Sequence, residues 1–174
     1  MTDHDARIGA IVSAFEEAMA RFRARLESAS AADAERPRED GGWSAAQIAW
    51  HVAAVNRSFA AILDGSFPIA KAASPDFAER TWEEIATGVP DKAQAPPRMQ
   101  PPGPVTRDEA LSLLAVSREK LIVAARGLDP ERALLTIDGP LVGCISLYQV
   151  GEWAQVHVIR HNKQMKRLLT GDAA

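Results

Sequence analysis

The sequence predicts an all-α fold, a four-helix bundle, on three observations. Apolar residues recur at three- and four-residue intervals through four long segments. Capping signals of one kind open three of those segments, and no pair of segments alternates convincingly enough to pair as strands. A long proline-rich stretch separates the second segment from the third.

The first helix is expected over residues 3–29. Ile8, Ile11, Val12, Phe15, Met19, Phe22 and Leu26 share one face, and the opposite face, rich in Arg and Glu, belongs to solvent. Residues 31–42 are polar, with Pro37 and a glycine pair, and read as a loop. The second helix is expected over 44–64. Ser44 caps it, Gln47 reaches back to complete a capping box, and Trp43 staples onto Ile48. Its apolar stripe runs Ile48, Val52, Val55, Phe59, Ile62 and stops at Asp64-Gly65.

Residues 65–105 break this pattern. Trp82 to Ala86 have room for one helical turn, but six prolines from Pro90 to Pro104 predict an extended, irregular connector. A connector of that length in a compact domain serves function or topology. The third helix, 106–126, opens on the box Thr106-Arg107-Asp108-Glu109, carries Leu111, Leu114, Leu121, Ile122 and Ala125, and ends at Gly127 and Pro130. A short passage through Ile137 to Gly143 leads to a third box, Ser146 to Gln149, flanked by the staple pair Ile145 and Val150. The fourth helix follows over 146–169. With 174 residues the chain is expected to form one domain, 1–174.

Composition limits what such a bundle does. A hydrophobic fraction of 47% and a charged fraction of 25% are ordinary for a globular protein. The net charge of −3 offers no footprint for nucleic acid or an anionic membrane, so neither is an expected partner. No apolar run is long enough to span a bilayer, and the opening MTDHDARIGA lacks the layout of a signal peptide, so a cytoplasmic location is expected. Cys144, the one cysteine, excludes an intramolecular disulfide and suits a reducing compartment.

The candidate functional residues are His51, His157 and His161. His157 and His161 are four apart, so on a helix they stack one turn above the other, on the line Val150, Trp153, His157, His161, Gln164, Leu168. His51 falls on the core stripe of the second helix, between Ile48 and Val55. All three imidazoles therefore face one interior. Burying three polar rings is costly unless each finds a partner, and one shared cation satisfies all three. Three neutral imidazoles leave coordination positions open, as in catalytic rather than structural metal sites.

The same residues bear on topology. His51 lies about 10 Å past its helix start, and the pair about 16 to 22 Å past theirs, at 1.5 Å per residue. Antiparallel second and fourth helices bring the three level. The connector permits this by letting the third helix run with the second, which predicts up-down-down-up.

Other residues carry two readings each. Gln47 and Gln164 lie one turn or less from a histidine and offer hydrogen bonds to a ligand ring or a substrate, or serve as a cap and a surface residue. Trp153 is a pocket wall or a core side chain. Cys144 is expected to be a buried, inert thiol, because the nearer histidine lies about 16 Å beyond the helix start. The basic cluster Arg160, Lys163, Lys166 and Arg167 complements the dipole of the last helix and needs no nucleic acid. His157 is followed by valine rather than by the glutamate that serves as base in helical zinc proteases, which disfavours that class.

Trp43-Ser44 opening a helix, a histidine eight residues after that Trp, and a late helix bearing His157-Val158-Ile159-Arg160-His161 with Gln164-Met165 resemble the DinB/YfiT-like family. The resemblance extends from the first helix through the fourth. It implies a four-helix bundle, often homodimeric, with His51, His157 and His161 as ligands of a divalent metal, commonly nickel or zinc. For activity it implies transfer or isomerisation of a small-molecule substrate with a low-molecular-weight thiol such as bacillithiol, mycothiol or glutathione. A metal-activated water acting in hydrolysis, and a non-catalytic metal-binding or stress-related role, stay open beside it. No catalytic acid or base stands out in the sequence.

Overall fold

The computed structural model describes residues 2–90 and 93–171; the ends of the 1–174 span and two connector residues, 91 and 92, lie outside the described residues. Helix α1 spans Asp3–Ser28 and begins with a closed box, in which Thr2 Oγ1 accepts from the Asp5 N–H and the Asp5 carboxylate accepts from the Thr2 N–H. Its core face is the expected one, with Phe15, Phe22 and Leu26 fully buried. Residues 31–42, expected as a loop, instead open with the short helix α2, Ala31–Glu35, capped by Ser30 and seated through buried Ala34. One small apolar side chain and one cap suffice for a helical turn, too little to register as periodicity.

Helix α3, Ala45–Asp64, has the full Ser44/Gln47 box. It stops at Gly65, whose φ of +85° is in the left-handed region that favours glycine. Arg132 seals this end by donating to the Ile62 and Leu63 carbonyls, and a Cβ at position 65 would stand 3.0 Å from its guanidinium. The connector then holds helix α4, Trp82–Ala86, capped by Thr81, and a 3-10 turn at Pro97–Met99. Helix α5 is Arg107–Arg126 and helix α7 is Leu147–Thr170. At both of their starts only the forward half of the predicted box forms, from the Glu109 N–H to Thr106 and from the Gln149 N–H to Ser146. Gln149 turns its amide to the connector instead, donating to the Arg80 carbonyl, and its Oε1 is buried without a hydrogen-bond partner.

Between α5 and α7 the expectation of no strand pair is corrected. After the one-turn helix α6, Pro130–Ala133, strand β1 (Thr136–Gly139) pairs antiparallel with β2 (Gly143–Ser146). Ile137 and Ile145 face each other across the hairpin and both are buried. Lys71 of the connector adds a bridge to Thr136. Four-residue strands are too short for alternation to show, and the third partner is far away in sequence. The same pleat corrects the expectation for Cys144. Ile145 takes the inward position, so its neighbour Cys144 points out and is exposed.

Side-chain pairs fix the helix directions. His4 to Tyr148, Arg7 to Glu152 and Arg25 to Asn162 run in step, so α1 and α7 are parallel. Glu16 to Arg118 and the Ala29 carbonyl to Arg107 run in opposite order, so α1 and α5 are antiparallel. His51 beside His157 and Phe59 beside Trp153 make α3 and α7 antiparallel. The bundle is therefore up-down-down-up, with α3 and α5 parallel neighbours joined by the long connector. The core fills the space between the four long helices, and Phe22, fully buried there, anchors it. Replacing Phe22 by Ala is expected to lower unfolding free energy by about 3–5 kcal/mol through lost burial and a residual cavity, read from urea melts.

Candidate metal centre

Two helices deliver the three histidines. The stripe that buries Ile48, Val52 and Val55 carries His51 into the bundle, where it is 5% exposed. Antiparallel packing then sets it against His157 and His161, stacked on consecutive turns of α7. One donor nitrogen from each of the three lies within 4.8 Å of the others, and among the described residues no other group of histidine, cysteine and carboxylate side chains converges in this way. His51 Nε2 and His157 Nε2 are 3.2 Å apart, and the ring centroids of His157 and His161 are 4.4 Å apart.

The outer nitrogens decide what the inner ones offer. His51 Nδ1 is 2.7 Å from the Met99 carbonyl oxygen, which can only accept, so Nδ1 carries the proton and Nε2 presents a lone pair to the cluster. His161 Nδ1 likewise donates to Gln164 Oε1 at 2.8 Å. His157 Nδ1 is buried without a hydrogen-bond partner. Aromatic rings complete the walls. Trp43 lies 5.0 Å from the His51 ring, Phe59 lies 6.4 Å from the His157 ring, and Phe59 rests in turn on Trp153.

All three imidazoles are held neutral. Burial pushes His157 well below its ordinary value of 6.5, and charge on His161, His51 or Arg160 would push it further. Burial, then the neighbouring His51, brings His161 down to about 4 against the opposing hydrogen bond of Gln164. Burial lowers His51 too, against the opposing Met99 carbonyl. Neutral imidazole is the form that binds metal.

The donor set fits a divalent cation. Three nitrogens around one ion at ordinary bond lengths stand roughly 3.0–3.4 Å apart, close to the His51–His157 spacing, and two of the three lone pairs are already aimed inward.

The remaining sequence candidates separate cleanly. Gln164 touches a histidine, whereas Gln47 closes its capping box and donates to the Gly103 carbonyl of the connector. Trp153 packs beside Phe59 at the edge of the cluster. Cys144 sits on the hairpin, outside the cluster, and His4 bonds to Tyr148 Oη instead. The Met99 carbonyl is the functional group that sequence reasoning missed. It is a backbone atom on an irregular segment, so no residue type or spacing marks it.

A family model described as the DinB superfamily matches residues 14–165. Among solved structures the chain is similar to YfiT from Bacillus subtilis, with a TM-score of 0.57 and 17% sequence identity over 96% of this chain and 89% of that one. That protein is described as a probable metal-dependent hydrolase with an unusual four-helix bundle topology. No curated protein matches the chain.

Proposed function

The chain belongs to the DinB superfamily, and from that premise we propose that His51, His157 and His161 bind one divalent ion, nickel or zinc, at the centre of a metal-dependent enzyme. The observation that carries the reading is the convergence of one donor nitrogen from each histidine within 4.8 Å, with the outer nitrogens of His51 and His161 held by hydrogen bonds. When bound, the cation supplies a Lewis acid that lowers the pKa of a small molecule in an open position. Among the described residues no carboxylate joins the three-histidine cluster, and on this reading the nucleophile comes from outside the protein. We take it to be a low-molecular-weight thiol, used to transfer to or isomerise a small substrate. His51 and His161 orient the site, and Trp43, Phe59 and Trp153 form an apolar wall that limits access of water to one flank.

A second reading, hydrolysis by an activated water, is favoured by the likeness to YfiT. The cobalt-substituted protein separates the two. Titration with glutathione, bacillithiol and mycothiol is expected to produce a thiolate-to-metal charge-transfer band, at much lower concentration for one thiol than for the others. No band with any of the three in a fully loaded protein, together with turnover of activated esters, would select hydrolysis; neither signal would select a non-catalytic metal-binding role.

Among the described residues no helix is long and apolar enough to cross a membrane. A cytoplasmic location and a homodimeric state complete the proposal. Sedimentation of the purified protein tests the dimer.

A further inference from the structure

We infer that the proline-rich connector is part of the metal centre, its Met99 carbonyl acting together with Gln164 to hold His51 and His161 ready for the cation, so that metal binding and connector docking reinforce each other. The inference rests on the histidines being metal ligands.

The three rings are held by three different devices. His161 is oriented from its own helix, by Gln164 three residues on. His157 has no hydrogen-bond partner at Nδ1 and is positioned by packing. His51 alone is oriented from outside the bundle, by a carbonyl 48 residues away in sequence. That carbonyl is presented by the 3-10 turn Pro97–Met99, which the Met99 N–H closes onto the Pro96 carbonyl at 2.8 Å. Gln47, one turn before His51, laces the same connector to α3 through the Gly103 carbonyl at 2.8 Å, and Arg160 of α7 donates to the Pro90 carbonyl at 2.9 Å. The connector is thus fastened to both helices that carry the ligands.

A cation on Nε2 withdraws electron density from the imidazole and makes Nδ1–H a stronger donor, while the acceptor on Nδ1 makes Nε2 a better ligand. Each bond strengthens the other. Reciprocity follows: whatever metal binding adds to connector docking, docking adds to metal affinity by the same factor. Gln164 and Met99 are positioning groups, since neither touches the reacting atoms.

The test uses the full chain and cobalt(II). Wild type is compared with Gln164→Leu, with Gln164→Glu, and with a same-length glycine-serine replacement of residues 96–100, by chelator competition. Gln164→Leu and the connector replacement are each expected to bind cobalt about 10- to 100-fold more weakly, and Gln164→Glu, which keeps an acceptor, at least as tightly as wild type. Trypsin supplies the reverse measurement. Arg98 is exposed, and cutting after it requires the turn to leave the bundle, so cobalt is expected to slow that cut about tenfold or more in wild type. A wild type that binds cobalt, with Gln164→Leu and the connector replacement within twofold of it, overturns the inference alone. A wild type that binds no cobalt overturns the metal-centre reading and the inference with it. Should Gln164→Leu misfold, the connector replacement and the trypsin rate decide.

Discussion

Replacing His157 by Ala is expected to abolish tight divalent-metal binding while leaving the helical circular-dichroism signal unchanged. The three rings form a near-equilateral triangle, with centroids 5.1 Å (His51–His157), 4.8 Å (His51–His161) and 4.4 Å (His157–His161) apart, so loss of His157 leaves two donors that no longer enclose an ion. The fold does not depend on it, because apolar faces of the four long helices carry the stability and His157 Nδ1 is already buried without a partner. Metal should stabilise the wild type by about 4 kcal/mol at a thousandfold excess over Kd, and the variant by nothing measurable. Elemental analysis of protein purified without an affinity tag, paired with melts with and without metal, checks both. A variant that retains one equivalent of metal would remove His157 from the ligand set.

The second large effect concerns acid. All three histidines have folded-state pKa values below the ordinary 6.5, His161 at about 4. Between those limits the unfolded chain takes up protons that the folded chain refuses, so acid favours unfolding. Stability of the metal-free protein is therefore expected to be level above about pH 7 and to fall as pH drops from about 6.5 towards 4. The contribution of His161 alone is on the order of 3 kcal/mol at the lower end, from its shift at about 1.4 kcal/mol per unit. Paired carboxylates also lose stability in acid, so the decisive measurement is a difference. Denaturant melts of wild type and His161→Ala from pH 7.5 to 4.5 should converge as pH falls, because the variant has shed that penalty. Parallel curves would mean that His161 titrates alike in both states. In the metal-loaded protein, protons compete with the cation for the same nitrogens, and metal should be retained after dialysis at pH 7.5 and lost at sufficiently low pH.

The four long helices were legible because each writes its burial into a local period. Phe15, Met19, Phe22 and Leu26 face one way at three- and four-residue spacing, and Ser44 with Gln47 marks a start without reference to anything distant. The order of helix directions was legible for a less direct reason. His51 could meet His157 and His161 only if α3 and α7 were antiparallel, and the length of the connector allowed it.

Only the tertiary structure decided the rest. The hairpin of β1 and β2 exists because Ile137 and Ile145 find the core together and Lys71 bonds alongside, contacts between residues too few or too far apart to leave a period. That pairing turned Cys144 outward against expectation. The sequence by itself determined the four long helices, where they start and that three histidines lie on the inner faces of two of them, since these follow from interactions within one or two turns. What fixes each imidazole, above all the Met99 carbonyl on His51, was decided by a chain crossing that brings a backbone atom to a side chain 48 residues away. A backbone carbonyl is the same in every residue, so only the fold could select it.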